Sequence, residues 1–283
     1  MNRTEMDRFE NLSTISAGEN AIRNRHLSVY KHLVTSFFED LDKLQLSDSE
    51  LRSVPSLFLP SCGKRYDQAS IKIAVIGEST LRWNEDLRYD LDHFKDGSYW
   101  NDNLGYFASF YHFQNKDEGP VNWKNNFWIY HAQVLEALLD QKGAFDMSNP
   151  VFSQIAWGNC WCLEQYKNGT GVDLKNISLD SYRKISYETM KLRISGLEYF
   201  VEVFSPDIIL YTCKNNYGSD YIFPPSGKEN LSCEQPKRFQ IFARKYKSTL
   251  IVQTWHPSYL KRFCGVSEQE FGESMQQAIK ELM

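Results

Sequence analysis

Short runs of apolar residues alternate with longer amphipathic stretches along the chain. Four of the short runs are rich in β-branched or aromatic residues, as buried strands are; they cover residues 71–77, 152–157, 207–213 and 249–254. Apolar positions recur at helical spacing in the longer stretches, which cover residues 21–46, 127–141, 179–204 and 267–283. This alternation predicts an α/β fold built on a parallel sheet with right-handed crossovers.

Three regions of the chain are interpreted separately. Residues 1–55 are expected to form an N-terminal helical extension that closes, or is capped, at the tripeptide beginning with Ser47. Residues 82–128 are dense in aromatic and polar side chains and carry a turn signal at Gly97. They predict a partly helical insertion over the edge of the sheet. Residues 239–246 fit either a helix or a strand.

Length and composition narrow the class of protein. The 283 residues are 42% hydrophobic and fit one domain over residues 1–283 with a full core. No long apolar span or secretory signal is visible, so we expect an intracellular, cytoplasmic protein that does not bind a membrane. The net charge of −4 argues against non-specific coating of nucleic acid but leaves room for a local basic patch. We expect a monomer.

The cysteines do not predict a metal centre. The six cysteines are spread through the chain. None of them form a CxxC pair, and CxxC is the spacing typical of zinc sites and iron–sulfur clusters. We therefore expect reduced thiols, no metal and no cofactor.

Polar residues follow each of the four predicted strands. In parallel sheets, ligands bind beyond the carboxyl ends of the strands. The side chains expected to meet at that edge are Glu78, Asn159, Lys214 and His256.

Three of these segments resemble a known family. Residues 253–262, Gln-Thr-Trp-His-Pro-Ser-Tyr-Leu-Lys-Arg, resemble the last motif of the uracil-DNA glycosylase superfamily, especially its iron–sulfur branch. The segment Gly77-Glu78-Ser79-Thr80 resembles the first motif, and Gly158-Asn159 resembles the asparagine motif that contacts the base edge. The resemblance implies a three-layer α/β/α fold with a central four-stranded parallel sheet in the order 2-1-3-4. The family's proline is replaced by Thr80, and the cluster cysteines are missing.

The resemblance suggests two catalytic residues. Cleaving a glycosidic bond requires stabilising negative charge on the leaving base and delivering water to the sugar. His256 would donate to the pyrimidine O2, and Glu78 would orient the water. The alternatives are that His256 only caps a helix in a turn, and that Glu78 is a capping carboxylate.

A base pocket is expected around the first two motifs. Gly77 and Ser79 belong to the first motif, and Asn159 can pair with one Watson–Crick edge of a flipped base. The alternative for Asn159 is a turn residue in left-handed geometry. Leu81 occupies the position of a tyrosine that excludes C5 substituents in the uracil-selective branch. Aromatic residues that would stack on the base are Trp83, Tyr89 or Phe107, and the alternative is that these rings pack into the core.

The last motif also predicts contacts with DNA. Leu260 would fill the gap that the flipped base leaves in the stack, and the alternative is that its side chain packs into the core. The residues expected to contact the DNA backbone are Ser258, Lys261, Arg262 and Lys214.

Together these features predict a monofunctional DNA glycosylase whose partner is DNA. Because Leu81 lacks the flat wall of a tyrosine, the expected target is a pyrimidine with a C5 substituent, such as the hypermodified cytosines of some viral genomes. Excision would leave abasic sites and act in antiviral defence in a prokaryote. The alternatives are repair of uracil or other deaminated bases, a non-catalytic nucleic-acid-binding member of the fold, and an unrelated hydrolase of nucleosides.

Overall fold

A computed structural model gives the fold of the protein. It describes residues 31, 34–57, 60–62, 65–77, 86–99, 126–139, 154–159, 177–191, 197–213 and 228–283. Within these residues the protein is an α/β structure with a mixed sheet, so the predicted class is confirmed.

In the described part of the chain, seven strands form the sheet, and one of them has only two residues. In chain order they are β1 (Ser61–Cys62), β2 (Ile73–Gly77), β3 (Ile155–Asn159), β4 (Ile208–Thr212), β5 (Lys228–Leu231), β6 (Phe242–Tyr246) and β7 (Thr249–Thr254). Their spatial order is β1-β3-β2-β4-β7-β6-β5. The four strands β3, β2, β4 and β7 pair in parallel, whereas β1, β5 and β6 pair antiparallel at the two edges.

Helices pack against both faces of this sheet. Residues 34–43 form α1, followed by α2 (Asp48–Arg52), α3 (Leu87–Asp96), α4 (Asn126–Leu138), α5 (Leu179–Lys191), α6 (Leu197–Phe204) and α7 (Glu268–Leu282). A short helical turn, Pro257–Tyr259, continues into a π-helix, Leu260–Cys264.

The alternation of side chains along each strand divides the core into two clusters. In β2, Ala74 and Ile76 face the cluster that contains residues of α1, α3 and α5. Their neighbours Ile73 and Val75 face the cluster built on α4 and α7. Because every residue of β2, β3, β4 and β7 is buried, these strands read as continuous apolar runs in the sequence.

The structure differs from the sequence predictions at several boundaries. The edge strands β1 and β5 were not expected, and β6 is a strand where helix and strand had both been possible. In the amphipathic stretch over residues 179–204, the described residues form α5 and α6. Of the aromatic insertion, residues 86–99 and 126–128 are described, and Gly97 ends α3 with a φ of 82°, as its turn signal indicated.

One buried carboxylate ties the segment before β1 to α3. Asp90 accepts hydrogen bonds from the Leu57 backbone N–H at 2.9 Å and from the Ser56 hydroxyl at 3.1 Å. Burial raises the pKa of Asp90 to about 7, against the opposing effect of these two hydrogen bonds. The carboxyl therefore holds its proton in the folded protein at pH values where it has lost it in the unfolded chain.

We expect Asp90→Asn to change the pH dependence of stability. Because the folded pKa of about 7 lies above the ordinary value of 3.8, Asp90 contributes stability below pH 4 that is lost as the pH rises towards 7. The asparagine does not titrate, so the free energy of unfolding of the variant should gain on the wild type between pH 4.5 and 7, and the difference should stay constant above pH 7. Urea unfolding at several pH values measures this.

Ser56→Ala is the matched control, because it removes a partner and keeps the carboxyl. It should retain the downward trend of stability between pH 4.5 and 7. A difference between Asp90→Asn and wild type that is the same at every pH would show that Asp90 is not protonated in the folded protein.

Candidate functional site

Four parallel strands end at one edge of the sheet and bring their last residues side by side. Gly77 of β2 is the register partner of Asn159 of β3. On the other side, Ile76 pairs with Tyr211 and Thr212 pairs with Thr254, so the ends of β4 and β7 lie next in line. His256 follows two residues after the end of β7. Of the predicted site residues, the structure thus brings Gly77, Asn159 and His256 to the same edge.

Close packing at this edge requires glycine at position 77. A Cβ atom on Gly77 would lie 2.7 Å from Oδ1 of Asn159 and 3.3 Å from the ring of Phe127. Asn159 is buried and is the last residue of a strand, so its expected alternative as a left-handed turn residue is wrong. The missing side chain of Gly77 is what lets the Asn159 amide and the Phe127 ring approach each other.

A backbone hydrogen bond after β7 selects the tautomer of the neutral His256 ring. The residue is the N-cap of the turn Pro257–Tyr259, and its Nδ1 accepts a hydrogen bond from the Ser258 backbone N–H at 3.1 Å. In a neutral imidazole only one ring nitrogen carries a proton. Because Nδ1 accepts, the proton is on Nε2, which makes Nε2–H the hydrogen-bond donor of the ring. His256 therefore caps a helix and offers a donor at the same time.

Phe127, in the first turn of α4, holds the plane of this imidazole. Its ring centroid lies 5.5 Å from that of His256 with an interplanar angle of 28°, a stacked arrangement. The same ring contacts His131, one turn further along α4, at 4.4 Å. The sequence predicted the helix but not the role of this aromatic, because only the tertiary structure brings α4 against the end of β7.

A second histidine lies beneath the site. His131 is completely buried, with Nδ1 2.6 Å from the Phe127 carbonyl oxygen and Nε2 3.2 Å from the Thr212 hydroxyl. Desolvation lowers the pKa of His131 to about 3, against the opposing effect of its hydrogen bond to the Phe127 carbonyl and with a smaller contribution from the charge that a protonated His256 would carry. The ring is therefore neutral at physiological pH. Nδ1 donates to the carbonyl, and Nε2 is the acceptor that faces Thr212.

Sequence reasoning missed both His131 and Thr212. Thr212 ends β4 and its hydroxyl also lies 3.4 Å from the carbonyl oxygen of Ile76. A polar residue as the last position of an apolar strand was the signal for Thr212. His131 sits on an otherwise apolar helix face, where a histidine usually belongs to the core.

Several predicted site residues lie outside the described part of the chain. They are Glu78, Ser79, Leu81, Trp83, Phe107 and Lys214. The candidate stacking residue Tyr89 is described, and its ring lies 3.9 Å from the ring of His93 on the exposed face of α3. The aromatic that the structure brings to the site is Phe127 instead.

The predicted DNA-contacting residues separate into two groups. Lys261 and Arg262 are exposed, Ser258 is half-buried, and the Lys261 ammonium donates to the Asn126 side-chain carbonyl at 3.1 Å. Leu260 is 0% exposed and belongs to the core cluster under α4 and α7. Its expected role as a wedge in the base stack is therefore corrected, since the side chain has no surface to offer, and the alternative of core packing holds.

Comparisons with known proteins assign no family. No family model matches the chain, and no curated protein is detectably similar to it. Among the described residues, no helix is long and apolar enough to cross a membrane, and no three His, Cys, Asp or Glu side chains are grouped to hold a metal ion.

We expect Gly77→Ala to destabilise the protein by about 1–3 kcal/mol, because the new methyl group would overlap the Asn159 side chain. Asn159→Ala removes the atom that the methyl group would meet. The double variant should therefore be more stable than the sum of the two single effects predicts, by at least about 0.5 kcal/mol. Urea unfolding of the four proteins measures this coupling. Additive effects would mean that the two residues do not touch.

Proposed function

We propose that the protein is a DNA glycosylase that hydrolytically removes a modified pyrimidine from DNA. The observation that carries the proposal is the arrangement at the carboxyl edge of the sheet. There the amide of Asn159 lies against the bare backbone of Gly77, and the ring of Phe127 contacts this position and stacks on His256, whose Nδ1 is capped by the Ser258 N–H. A flipped base needs such a combination of edge recognition and an oriented donor.

The resemblance to uracil-DNA glycosylases is supported by the same sheet. The parallel strands β3, β2, β4 and β7 follow the order 2-1-3-4 of the predicted strands, within a larger mixed sheet. The described residues of the three matching segments include Gly77 at the end of β2, Asn159 at the end of β3 and His256 just after β7, and these lie at one edge. We therefore include the three-layer fold of that superfamily in the proposal.

The chemistry is a displacement by water. The bond between C1′ of the sugar and the ring nitrogen breaks, and its electron pair leaves with the base. Nε2–H of His256 donates to O2 of the pyrimidine, where the negative charge develops. The water oxygen bonds to C1′, and Glu78 accepts its proton. The role of Glu78 is assigned from the sequence resemblance.

A neutral His256 suits this role. The Ser258 N–H cap at Nδ1 stabilises the ring with its proton on Nε2, and it does not stabilise the doubly protonated cation, in which Nδ1 would itself be a donor. His131 beneath it is neutral as well, because burial holds its pKa at about 3. The donor is thus a preorganised dipole, which needs no reorganisation when charge develops on the base.

The proposed target is a cytosine with a C5 substituent. Leu81 stands where the uracil-selective branch has a tyrosine against C5, so a substituent is admitted there. A hydroxymethyl or glucosyl-hydroxymethyl group would suit the polar insertion over residues 82–128. Such bases occur in viral DNA, and their removal by a cytoplasmic, monomeric enzyme would leave abasic sites in the invading genome.

Replacement of His256 tests the reaction with the helix cap kept intact. His256→Asn retains an N-cap acceptor for the Ser258 N–H but removes the ring donor. We expect base release to fall about 100-fold or more with little change in the free energy of unfolding. The assay measures abasic sites in matched duplexes that contain 5-hydroxymethylcytosine, its glucosylated form, uracil or cytosine.

The outcomes of that assay separate the alternatives. Efficient release of uracil alone would show that the protein acts in the repair of deaminated bases and not on modified cytosines. Tight binding of duplexes without release of any base by the wild type would favour a non-catalytic binding protein. Near wild-type release by His256→Asn would remove the donor role from this histidine.

A second expectation concerns the salt dependence of DNA binding. Lys261 and Arg262 are exposed on the segment that follows His256, and each phosphate contact that they make adds about 0.9 to the slope of log affinity against log salt. The double variant Lys261→Gln/Arg262→Gln should therefore show a slope smaller in magnitude by about 1 to 2. Fluorescence anisotropy between 50 and 200 mM salt measures it.

The matched control is Lys184→Gln on α5, which packs on the opposite face of the sheet and pairs with Asp180. Its slope should equal that of the wild type. An unchanged slope in the double variant would place Lys261 and Arg262 outside the DNA interface.

A further inference from the structure

The segment after His256 presents one large apolar side chain to solvent. Phe263 is 73% exposed, the highest value among the large hydrophobic side chains of the described residues. Leu260, three residues earlier, is fully buried. An isolated exposed apolar residue needs no explanation by itself, but this one lies between two cations and the end of a π-helix, close to the proposed site.

The backbone turns Phe263 outward and holds it there. Leu260–Cys264 is a π-helix, in which the Gly265 N–H donates to the Leu260 carbonyl five residues back. Gly265 then ends it with a φ of 63°, and the Arg238 guanidinium donates to the Gly265 carbonyl at 2.7 Å. Single turns of π-helix rotate the following side chains relative to an α-helix and are frequent at functional sites.

Two further aromatic rings support the Phe263 ring from below. It lies 4.9 Å from the ring of Tyr259 at an angle of 32°. Tyr259 in turn meets Trp255 edge-on at 4.7 Å. The three rings form a row that begins just after β7. The exposed ring of Phe263 is therefore held in place by its contact with Tyr259, which in turn contacts Trp255.

Charge identifies the chemistry of the partner. Lys261 and Arg262 directly precede Phe263 and are exposed, and neither makes an ion pair with a carboxylate in the described part of the structure. A flat apolar ring beside two cations matches a base stack lined by phosphates. Seven residues of helical backbone between His256 and Phe263 span roughly 10 Å. A single short stretch of duplex can therefore contact both.

We propose that Phe263 is the residue that inserts into the base stack of duplex DNA when the target base leaves it, with Lys261 and Arg262 on the flanking phosphates. This inference rests on the proposed function, because it requires that DNA bind at the edge containing His256. It gives Phe263 the wedge role that the buried Leu260 cannot perform.

The test uses the full chain and a duplex that carries a tetrahydrofuran abasic analogue opposite 2-aminopurine. An aromatic ring inserted at the gap changes the stacking and hence the emission of 2-aminopurine. We expect Phe263→Ala to bind about tenfold more weakly and to lose the emission change, because the variant has no ring to stack on the neighbouring base. Phe263→Trp should restore both. The matched control is Tyr187→Ala, which removes another exposed aromatic, on α5 against the opposite face of the sheet.

The results distinguish this inference from the proposed function. If wild type and Phe263→Ala bind the duplex with equal affinity and equal emission change, the wedge is wrong while DNA binding stands. If Phe263→Ala weakens binding but the emission change remains, Phe263 is a surface contact and not an inserted residue, which also overturns the inference. If the wild type binds no duplex, both fail. If Phe263→Ala instead converts a dimer to a monomer in sedimentation, with DNA binding unaltered, the partner is a second copy of the chain.

Discussion

The parallel pairing of β3, β2, β4 and β7 places the carboxyl ends of four strands at one edge, and the site depends on that register. The pairs Gly77 with Asn159 and Thr212 with Thr254 fix which residues end level with one another. A slip of one residue in any strand would move its buried side chains to the opposite face. Because both faces carry a packed cluster, the register is strongly specified.

The site combines polar groups with an aromatic ring that contacts two histidines. Phe127 stacks on His256 and contacts His131 on its own helix. Burial holds the pKa of His131 at about 3, and the backbone cap leaves the proton of His256 on Nε2. The arrangement therefore provides dipoles rather than charges at the edge of the sheet.

The eleven residues from Trp255 to Gly265 perform three tasks in succession. At its start, His256 caps the turn Pro257–Tyr259, and this hydrogen bond orients the imidazole ring. Leu260 then anchors the segment in the core, and the π-helix exposes Phe263 beside Lys261 and Arg262. The buried Leu260 and the exposed Phe263 are only three residues apart, so the packing of Leu260 in the core holds the backbone that carries Phe263.

The sequence by itself determined the class of the fold and most of its central elements. Strand β7 has the predicted bounds, and β2 and β4 fall within theirs, because continuous apolar runs are the direct consequence of burial on both faces. It also placed Gly77, Asn159 and His256 at one edge of the sheet, since the residues at the carboxyl ends of parallel strands meet there. These predictions needed only local pattern and the geometry of parallel sheets.

Tertiary structure decided what local pattern does not encode. The edge strands β1 and β5 are short and pair with neighbours distant in sequence, so their periodicity is weak. Phe127 and His131 reach the site only because α4 packs beneath the end of β7. For Leu260 and Phe263 the sequence offers two apolar residues in one helical segment. Which of them is buried depends on the π-helical turn, and the hydrogen bonds that form that turn are set by the packing around it.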